Sequence, residues 1–405
     1  MTDPIDKTAA PPGKTPIRLP EAAAAGLDAA TCLTAEVSTS AVRDNLALLR
    51  SLLAPGVKLC AVVKADCYGH GLSPLLETIA AGADALAVAT AAEALQVRRM
   101  GASGPVLVFF TAATGGDGAD RDGVLAELAA RDVTLTVTAQ AELPLVSAAA
   151  RQAGRAANVH VKVDTGMTRS GVLPEAAPAL FGAIAATDGV RLAGVYTHFA
   201  GADEPDKSFL REQFARFQAV VRAAPGEGSG LCVHAANSAA CIDLPETHLD
   251  MVRTGIAVYG YQPSDSMRRK LPLRPALRLT GRLMQVKAVP AGSRCGYGMT
   301  HTCNRDSRVG LVPVGYADGY PRCLSNRSTV RVRGRDVPVL GRVAMDQVIV
   351  DLTDVPGAAV GDEAEIVCPH PYAPHSVENL ARLAGTIPYE VTCRLGRRVR
   401  RVAVE

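Results

Sequence analysis

The stretch AVVKADCYGHG sets Lys64 at the end of an apolar run, with Tyr68 and two glycines close behind it. A lysine in such a place ordinarily buries its stem and lets the ammonium reach water. Desolvated among other cations, it instead becomes less basic and can form a Schiff base with an aldehyde. Three more polar groups close apolar runs in the same way: His198, the pair Asn237-Ser238, and Arg253 with Gly255. Singly, a strand-end histidine reads as a satisfied structural residue and an arginine as an ion-pair partner. At matching places in successive segments, they point to one site.

The segments that must position these groups alternate. Short apolar or β-branched runs (KLCAVV, ALAVA, PVLVFF, VTLTVT, NVHVKV, VRLAGVYTHF, LCVHAA and MVRTG) are separated by Ala/Leu-rich helical stretches. Ser73-Pro74 supplies a helix start with proline at the first position, and Thr90-Ala-Ala-Glu93 fits a capping box. Alternation of this kind implies a parallel sheet with crossover helices, and eight repeats are the count that closes a (β/α)8 TIM-like barrel. An open doubly wound sheet is the alternative. From Pro275 onward, LTGRLMQVKAV, SRVGLVPVG, STVRVRG, VPVLGRVAMDQVIVDL and EAEIVC follow one another without long helices, as a mainly-β domain does. The expected organisation is a tail over 1–29, a cofactor-binding barrel over 30–274 and a β domain over 275–405. The first strand, in TCLTAEVS, has the β domain as a second place to pair.

In a barrel of this type the active site lies where the strands end, which is where Lys64, His198, Asn237-Ser238 and Arg253 fall. In NVHVKVDTGMTRSG the valines alternate with Asn158, His160, Lys162 and Asp164, and a barrel strand has no solvated face. Lys162 is therefore expected as a buried cation close to Arg169. Two such cations need a negative partner. A lysine so placed is neutral, ion-paired or covalently modified.

Composition narrows the function classes. The formal charge is only +3, with no basic run interleaved with aromatics, so a nucleic-acid surface is not expected. RLGRRVRRV reads as a strand with one solvated face. The ten cysteines include no CxxC pair, so reduced thiols of a cytoplasmic protein, used mainly for packing, are expected rather than a disulfide or metal framework. No window offers the roughly 18 apolar residues of a membrane span. The opening 30 residues lack the continuous apolar core of a secretory signal.

An aldehyde cofactor of the pyridoxal 5'-phosphate kind asks for a lysine, a phosphate cradle of N–H groups and hydroxyls, and a partner for its ring nitrogen. Lys64 supplies the first. Tyr68, Ser238 and the Gly255-Ile256 backbone supply the second, and Arg253 the third. No GxxxxGK[ST], and no GxGxxG after a strand, competes for a nucleotide.

With these motifs assembled, the chain resembles the bacterial alanine racemases from about residue 30 to its end. The resemblance rests on VVKADCYGHG, VDTGMTRSG, YTHFAGADE, HAANSAA, MVRTGIAVYG, CGYGMTH, VGYADGYPR, GRVAMDQ and TIPYEV. It implies a homodimer with active sites shared between subunits, acting on alanine and supplying D-alanine as a peptidoglycan precursor. Lys64 would hold the cofactor and act as base on one face of the substrate Cα. Tyr297 would reach in from the other subunit as base on the opposite face, near His198 and Arg253. A free phenol has a pKa of about 10, so that tyrosine needs the positive field these two provide. Tyr68, Asn237, Ser238, Gly255, Ile256 and Tyr389 would bind the cofactor, and Arg169 and the Met345 N–H the substrate carboxylate. Lys162, in the position often carbamylated, and Asp346 would support them. Asp203, Tyr316, Arg322, Arg342 and Ile387 match the corridor by which substrate arrives.

Arg253 carries a chemical consequence of its own. A guanidinium has no acceptor and stays charged, so it leaves a ring nitrogen beside it unprotonated. We expect weaker delocalisation into the ring and fewer side reactions such as transamination. The sequence departs from the family pattern at Asp66, Cys67, Thr168 and Pro388, none of which carries a reacting group. The nearest alternative is a broad-specificity or serine racemase of the same fold. A decarboxylase of this architecture would place an acid at the ring nitrogen, and a non-catalytic cofactor carrier would have no use for the β domain.

Overall fold

The computed structural model describes residues 32–114, 118–224 and 230–405. The expected tail over 1–29 lies outside them. β1 (Leu33–Ser38) leads into a helix over Thr39–Arg50, and then the alternation begins. All eight expected barrel runs are strands: β2 (Lys58–Val62), β3 (Ala85–Val88), β4 (Val106–Thr111), β5 (Val133–Val137), β6 (Ala157–Lys162), β7 (Val190–Tyr196), β8 (Cys232–His234) and β9 (Met251–Thr254). Each pairs in parallel with its sequence neighbour from β2 to β8, and β9 pairs with β2. The ring closes through Asp250 N–H to Val233 O at 3.0 Å and Arg253 N–H to Ala236 O at 2.9 Å. The open-sheet alternative is thereby removed. Val, Leu and Ala from these strands fill the barrel and its helix-facing layer, which form one continuous core.

The β domain holds β10 (Leu277–Arg282), β11 (Gln285–Val289), β12 (Arg294–Cys295), β13 (His301–Thr302), β14 (Ser307–Val312), β15 (Thr329–Val332), β16 (Arg335–Leu340), β17 (Val348–Asp351), β18 (Glu363–Val367) and β19 (Arg400–Val404). Its main sheet runs β11-β14-β17-β16-β15-β18-β10-β1-β19, so the first strand does join the β domain. β1 lies antiparallel to β10 and parallel to β19, which ties the two ends of the described chain together. Among the described residues no helix is long and apolar enough to cross a membrane. All ten cysteines are free thiols.

Five expectations need correction. LTGRLMQVKAV is two strands, because the chain leaves β18 as partner and takes up β14; Leu283 and Met284 make the crossing. VPVLGRVAMDQVIVDL is also two, parted by a loop that opens at Gly341 with φ +76°. The helix after β2 starts at Leu72, ahead of Ser73-Pro74. Its first N–H is taken by the Asp66 carboxylate at 2.6 Å, a cap from six residues back. In RLGRRVRRV only Arg400–Val404 is strand, and Arg401 turns inward to bind the carbonyls of Gly69, Leu395, Gly396 and Val399. Lys64 does not close β2. That strand ends at Val62, and Lys64 opens a separate turn.

Candidate active site

The turn after β2 is left-handed. Ala65, Asp66, Cys67 and Tyr68 have φ between +51° and +55°, a conformation that costs a residue with a Cβ roughly 1–2 kcal/mol. Neighbours hold it there. Glu93 Oε1 accepts from Ala65 N–H at 2.7 Å, while Oε2 completes the capping box at Thr90 and so fixes the turn to the next helix. Gly69, at φ +82°, lies against the helix Pro388–Cys393 so closely that a Cβ would sit 1.9 Å from Thr392 O. The turn presents Lys64 at the barrel mouth. Burial makes its ammonium less basic, Arg169 adds to that, and Glu93 opposes it.

Arg253, on β9, is 3% exposed and held from several sides. It donates to His234 Nδ1 at 2.8 Å, to Thr197 O at 2.8 Å and to Ala235 O at 3.1 Å, with His198 Nδ1 at 3.4 Å. His234 Nε2 in turn meets His160 Nδ1 at 2.9 Å. Since Arg253 can only donate, His234 accepts at Nδ1, carries its proton on Nε2 and donates to His160. Burial and the Arg253 charge hold both imidazoles neutral, with His160 pushed down to about 3. His198 is held neutral by the same two causes. Lys162 lies 6.0 Å from the centre of the Tyr196 ring, with Arg253 on that ring at 5.2 Å. Burial, then Arg169 and Arg253, lower Lys162 to about 8. The reading of Lys162 as a buried cation among cations agrees with this placement. Asp164 accepts from the N–H groups of Gly166, Thr168 and Arg169, and so shapes the loop that carries Arg169. Thr168, where the family pattern often has glycine, takes φ +54° there.

A cradle forms beside this group. Ser238 Oγ accepts from Gly255 N–H at 2.9 Å, and the Tyr68 hydroxyl comes within 2.3 Å of where a Cβ on Gly255 would stand. Only glycine admits that approach. The rings of Tyr68 and Tyr389 are 6.0 Å apart, and Ile256 follows Gly255 at the start of a short 3-10 turn. Asn237 caps the helix Ser238–Asp243 through the Ala240 N–H. The Asp203 charge acts on Tyr389, whose hydroxyl is made less acidic chiefly by burial.

The remaining expected residues gather elsewhere. Tyr297, 72% exposed, sits between β12 and β13. The Arg342 guanidinium packs against Gly298, Met345 O accepts from Ala317 N–H, and Tyr316 N–H bonds Ala344 O. Arg398 joins Asp346 at 2.6 Å to Asp318 and steadies the Met345 loop. Met345, Tyr316 and Ile387 are exposed, as is Arg322. Within one chain Tyr297 is not among the hydrogen-bond partners of Arg253 or His198. The sequence reading missed His234 and Glu93 as site-builders. His160 was visible in the alternation of β6, but its partner lies 74 residues away.

The chain is similar to known proteins over most of its length. The family described as alanine racemase, N-terminal domain, matches residues 37–263, and that described as alanine racemase, C-terminal domain, matches 276–403. The alanine racemase of Desulfovibrio desulfuricans is 44% identical over 373 residues, covering 92% of this chain and 98% of that protein. The crystal structure of alanine racemase from D-cycloserine-producing Streptomyces lavendulae is 40% identical, with a TM-score of 0.85 over 93% of this chain and 97% of that one. The biosynthetic alanine racemase of Pseudomonas aeruginosa gives a TM-score of 0.78 at 34% identity, over 93% of this chain and all of that one. With both domains matched and full-length relatives at this identity, the chain belongs to the alanine racemase family.

Proposed function

We propose that this protein interconverts L- and D-alanine, using pyridoxal 5'-phosphate at the barrel mouth and two residues that exchange the Cα proton from opposite faces. The residues present suit that cofactor. Hydroxyls of Tyr68 and Ser238 lie against the Gly255 backbone where a phosphate needs donors, the Tyr389 ring stands 6.0 Å from that of Tyr68, and the close approach leaves no room for a Cβ. When bound, pyridoxal phosphate supplies the electron sink that makes the substrate Cα–H acidic. Arg253, locked by His234 and three further acceptors, is the residue that would meet the ring nitrogen, and as a fixed cation with no acceptor it would leave that nitrogen unprotonated.

The observation that carries the reading is Lys64, presented by a strained turn and made less basic by its surroundings. Its Nζ takes the proton from one face of Cα. A general base gains from a pKa drawn toward the working pH, and burial beside Arg169 does that here. The Arg169 guanidinium and the Met345 N–H orient the substrate carboxylate. Tyr297 of a second copy returns a proton from its hydroxyl to the opposite face. Its exposure, on a surface shared with Met299 and Met345, supports a homodimer with shared sites.

The experiment is solvent deuterium incorporation at Cα, followed by NMR, with L-alanine, L-serine and L-lysine offered in turn to the purified holoenzyme. Exchange with loss of chirality for alanine alone is expected. Comparable rates for serine or lysine would move the assignment to a broad-specificity racemase, and no exchange with any of them would overturn it.

A further inference from the structure

In the β domain, between β18 and the helix Val377–Ala384, three potential ligands converge. Glu365 on β18, Cys368 just after it and His375 before the helix Val377–Ala384 place a carboxylate oxygen, a sulfur and a ring nitrogen within 4.8 Å of one another. Cys368 and His375 are buried. The connecting segment, CPHPYAPH, is folded back by Cys368 N–H to His375 O, and His370 N–H points at Cys368 Sγ at 3.4 Å.

His375 carries a second sign. Its Nε2 meets Glu365 Oε1 at 2.9 Å, but its fully buried Nδ1 has no hydrogen-bond partner, although Asp336 Oδ1 is 3.6 Å away. Buried polar atoms are rarely left in that state. With an ion on Nε2 the ring proton moves to Nδ1 and faces Asp336, the carboxylate–histidine–metal arrangement. Charge favours a cation as well. Arg278 bonds Glu36, Glu363 and Glu365, and Arg331 bonds Asp336, so four carboxylates face two guanidiniums. A surface hollow of about 280 Å³, lined by Arg278, Arg331, Arg333, Asp362, Glu363 and Glu365, reaches one of the three ligands, Glu365.

We infer that Glu365, Cys368 and His375 form a binding site for a divalent transition-metal ion of the zinc class, with water as fourth ligand. Carboxylate, thiolate and imidazole together suit Zn(II) and not the hard cations. On binding, the Cys368 thiol releases its proton to solvent as the sulfur–metal bond forms. Glu365 Oε1 passes from His375 to the ion while Oε2 keeps Arg278 at 2.6 Å. The ion clamps the turn between β18 and the helix that leads to Tyr389, and takes no part in racemisation.

The test uses the chelator-treated holoenzyme dialysed against Zn(II), then Co(II). One ion per chain, a near-ultraviolet thiolate-to-cobalt band and a raised Tm are expected. Cys368→Ser and His375→Gln should lose the ion and the band while keeping racemase activity. Asp336→Asn, which spares every ligand, should weaken binding roughly 10- to 100-fold. Failure of the wild-type protein to retain an ion, or an unchanged band in both ligand variants, would overturn the site. Should those variants not fold, zinc-edge anomalous scattering from wild-type crystals decides: a peak among the three ligands supports the site, and a peak elsewhere or none refutes it.

Discussion

The barrel mouth and the Tyr297 face of the β domain hold the two groups of residues proposed above to act in one reaction, and they are built in opposite ways. At the mouth, Arg253 is 3% exposed and bonded on several sides, and Lys64 stands on a turn pinned by Glu93 and Asp66. On the other face Tyr297 is 72% exposed and Met345 52%. Desolvation, which lowers the basicity of Lys64 and Lys162, acts within a single chain. In the proposed homodimer the tyrosine would gain such surroundings by docking. On that proposal the labour is divided: one half is finished by folding and the other by association.

The largest blow to this comparison comes from the reacting groups. Lys64→Ala should cut racemisation by on the order of 10⁴-fold or more, as loss of a base that also holds the cofactor implies. Tyr297→Phe should cost about 10²- to 10⁴-fold while the cofactor absorbance persists, since that phenol is not among the hydrogen-bond partners of Arg253 or His198 in its own chain. Mixing the two inactive proteins sharpens the contrast. If sites are shared, random pairing restores about a quarter of wild-type activity, because half the dimers carry one intact site of two. No recovery on mixing would place both bases in one chain.

A smaller effect tests the anchoring of Arg253. His234→Leu removes the Nδ1 acceptor and leaves the guanidinium and His160 short of partners, at a cost of about 1–3 kcal/mol. Tm should fall and cofactor affinity weaken, whereas Arg305→Ala, which frees only the exposed Asp354 in the β domain, should alter Tm little. The halves should also differ with pH. Burial holds His70 at about 4 and His160 at about 3, below their unfolded value near 6.5. Between those limits the unfolded chain binds more protons, so stability is full above about pH 6.5 and falls as acid is added. Denaturant titrations from pH 7 to 4 should show this loss, and His160→Gln should flatten it. Thr168→Gly is the mildest change. Relieving φ +54° should stabilise by about 1 kcal/mol at most, with little effect on turnover.

Much of the mouth was legible because a parallel barrel converts sequence position into place. A polar residue at the end of an apolar run must stand at the rim, so Lys64, His198, Ser238 and Arg253 announced themselves. What stayed hidden depends on partners distant in sequence. The helix start at Leu72 is set by Asp66 rather than by the nearer Ser73-Pro74. LTGRLMQVKAV divides because its neighbours change, which no local pattern records. The inward turn of Arg401 answers carbonyls at Gly69, 332 residues away. His234 looks like any strand histidine until His160 and Arg253 are seen on either side of it.

The pairing of β1 with β19 bears on how the protein is made. Residues Leu33–Ser38 are among the first described residues to leave the ribosome, yet their parallel partner, Arg400–Val404, is among the last. The barrel strands can close on one another while that first strand waits for the sheet it belongs to. Once β10 has covered one side of that strand, its other edge stays open to wrong partners until Arg400–Val404 have been made, which lengthens the interval in which a chaperone would protect the nascent chain.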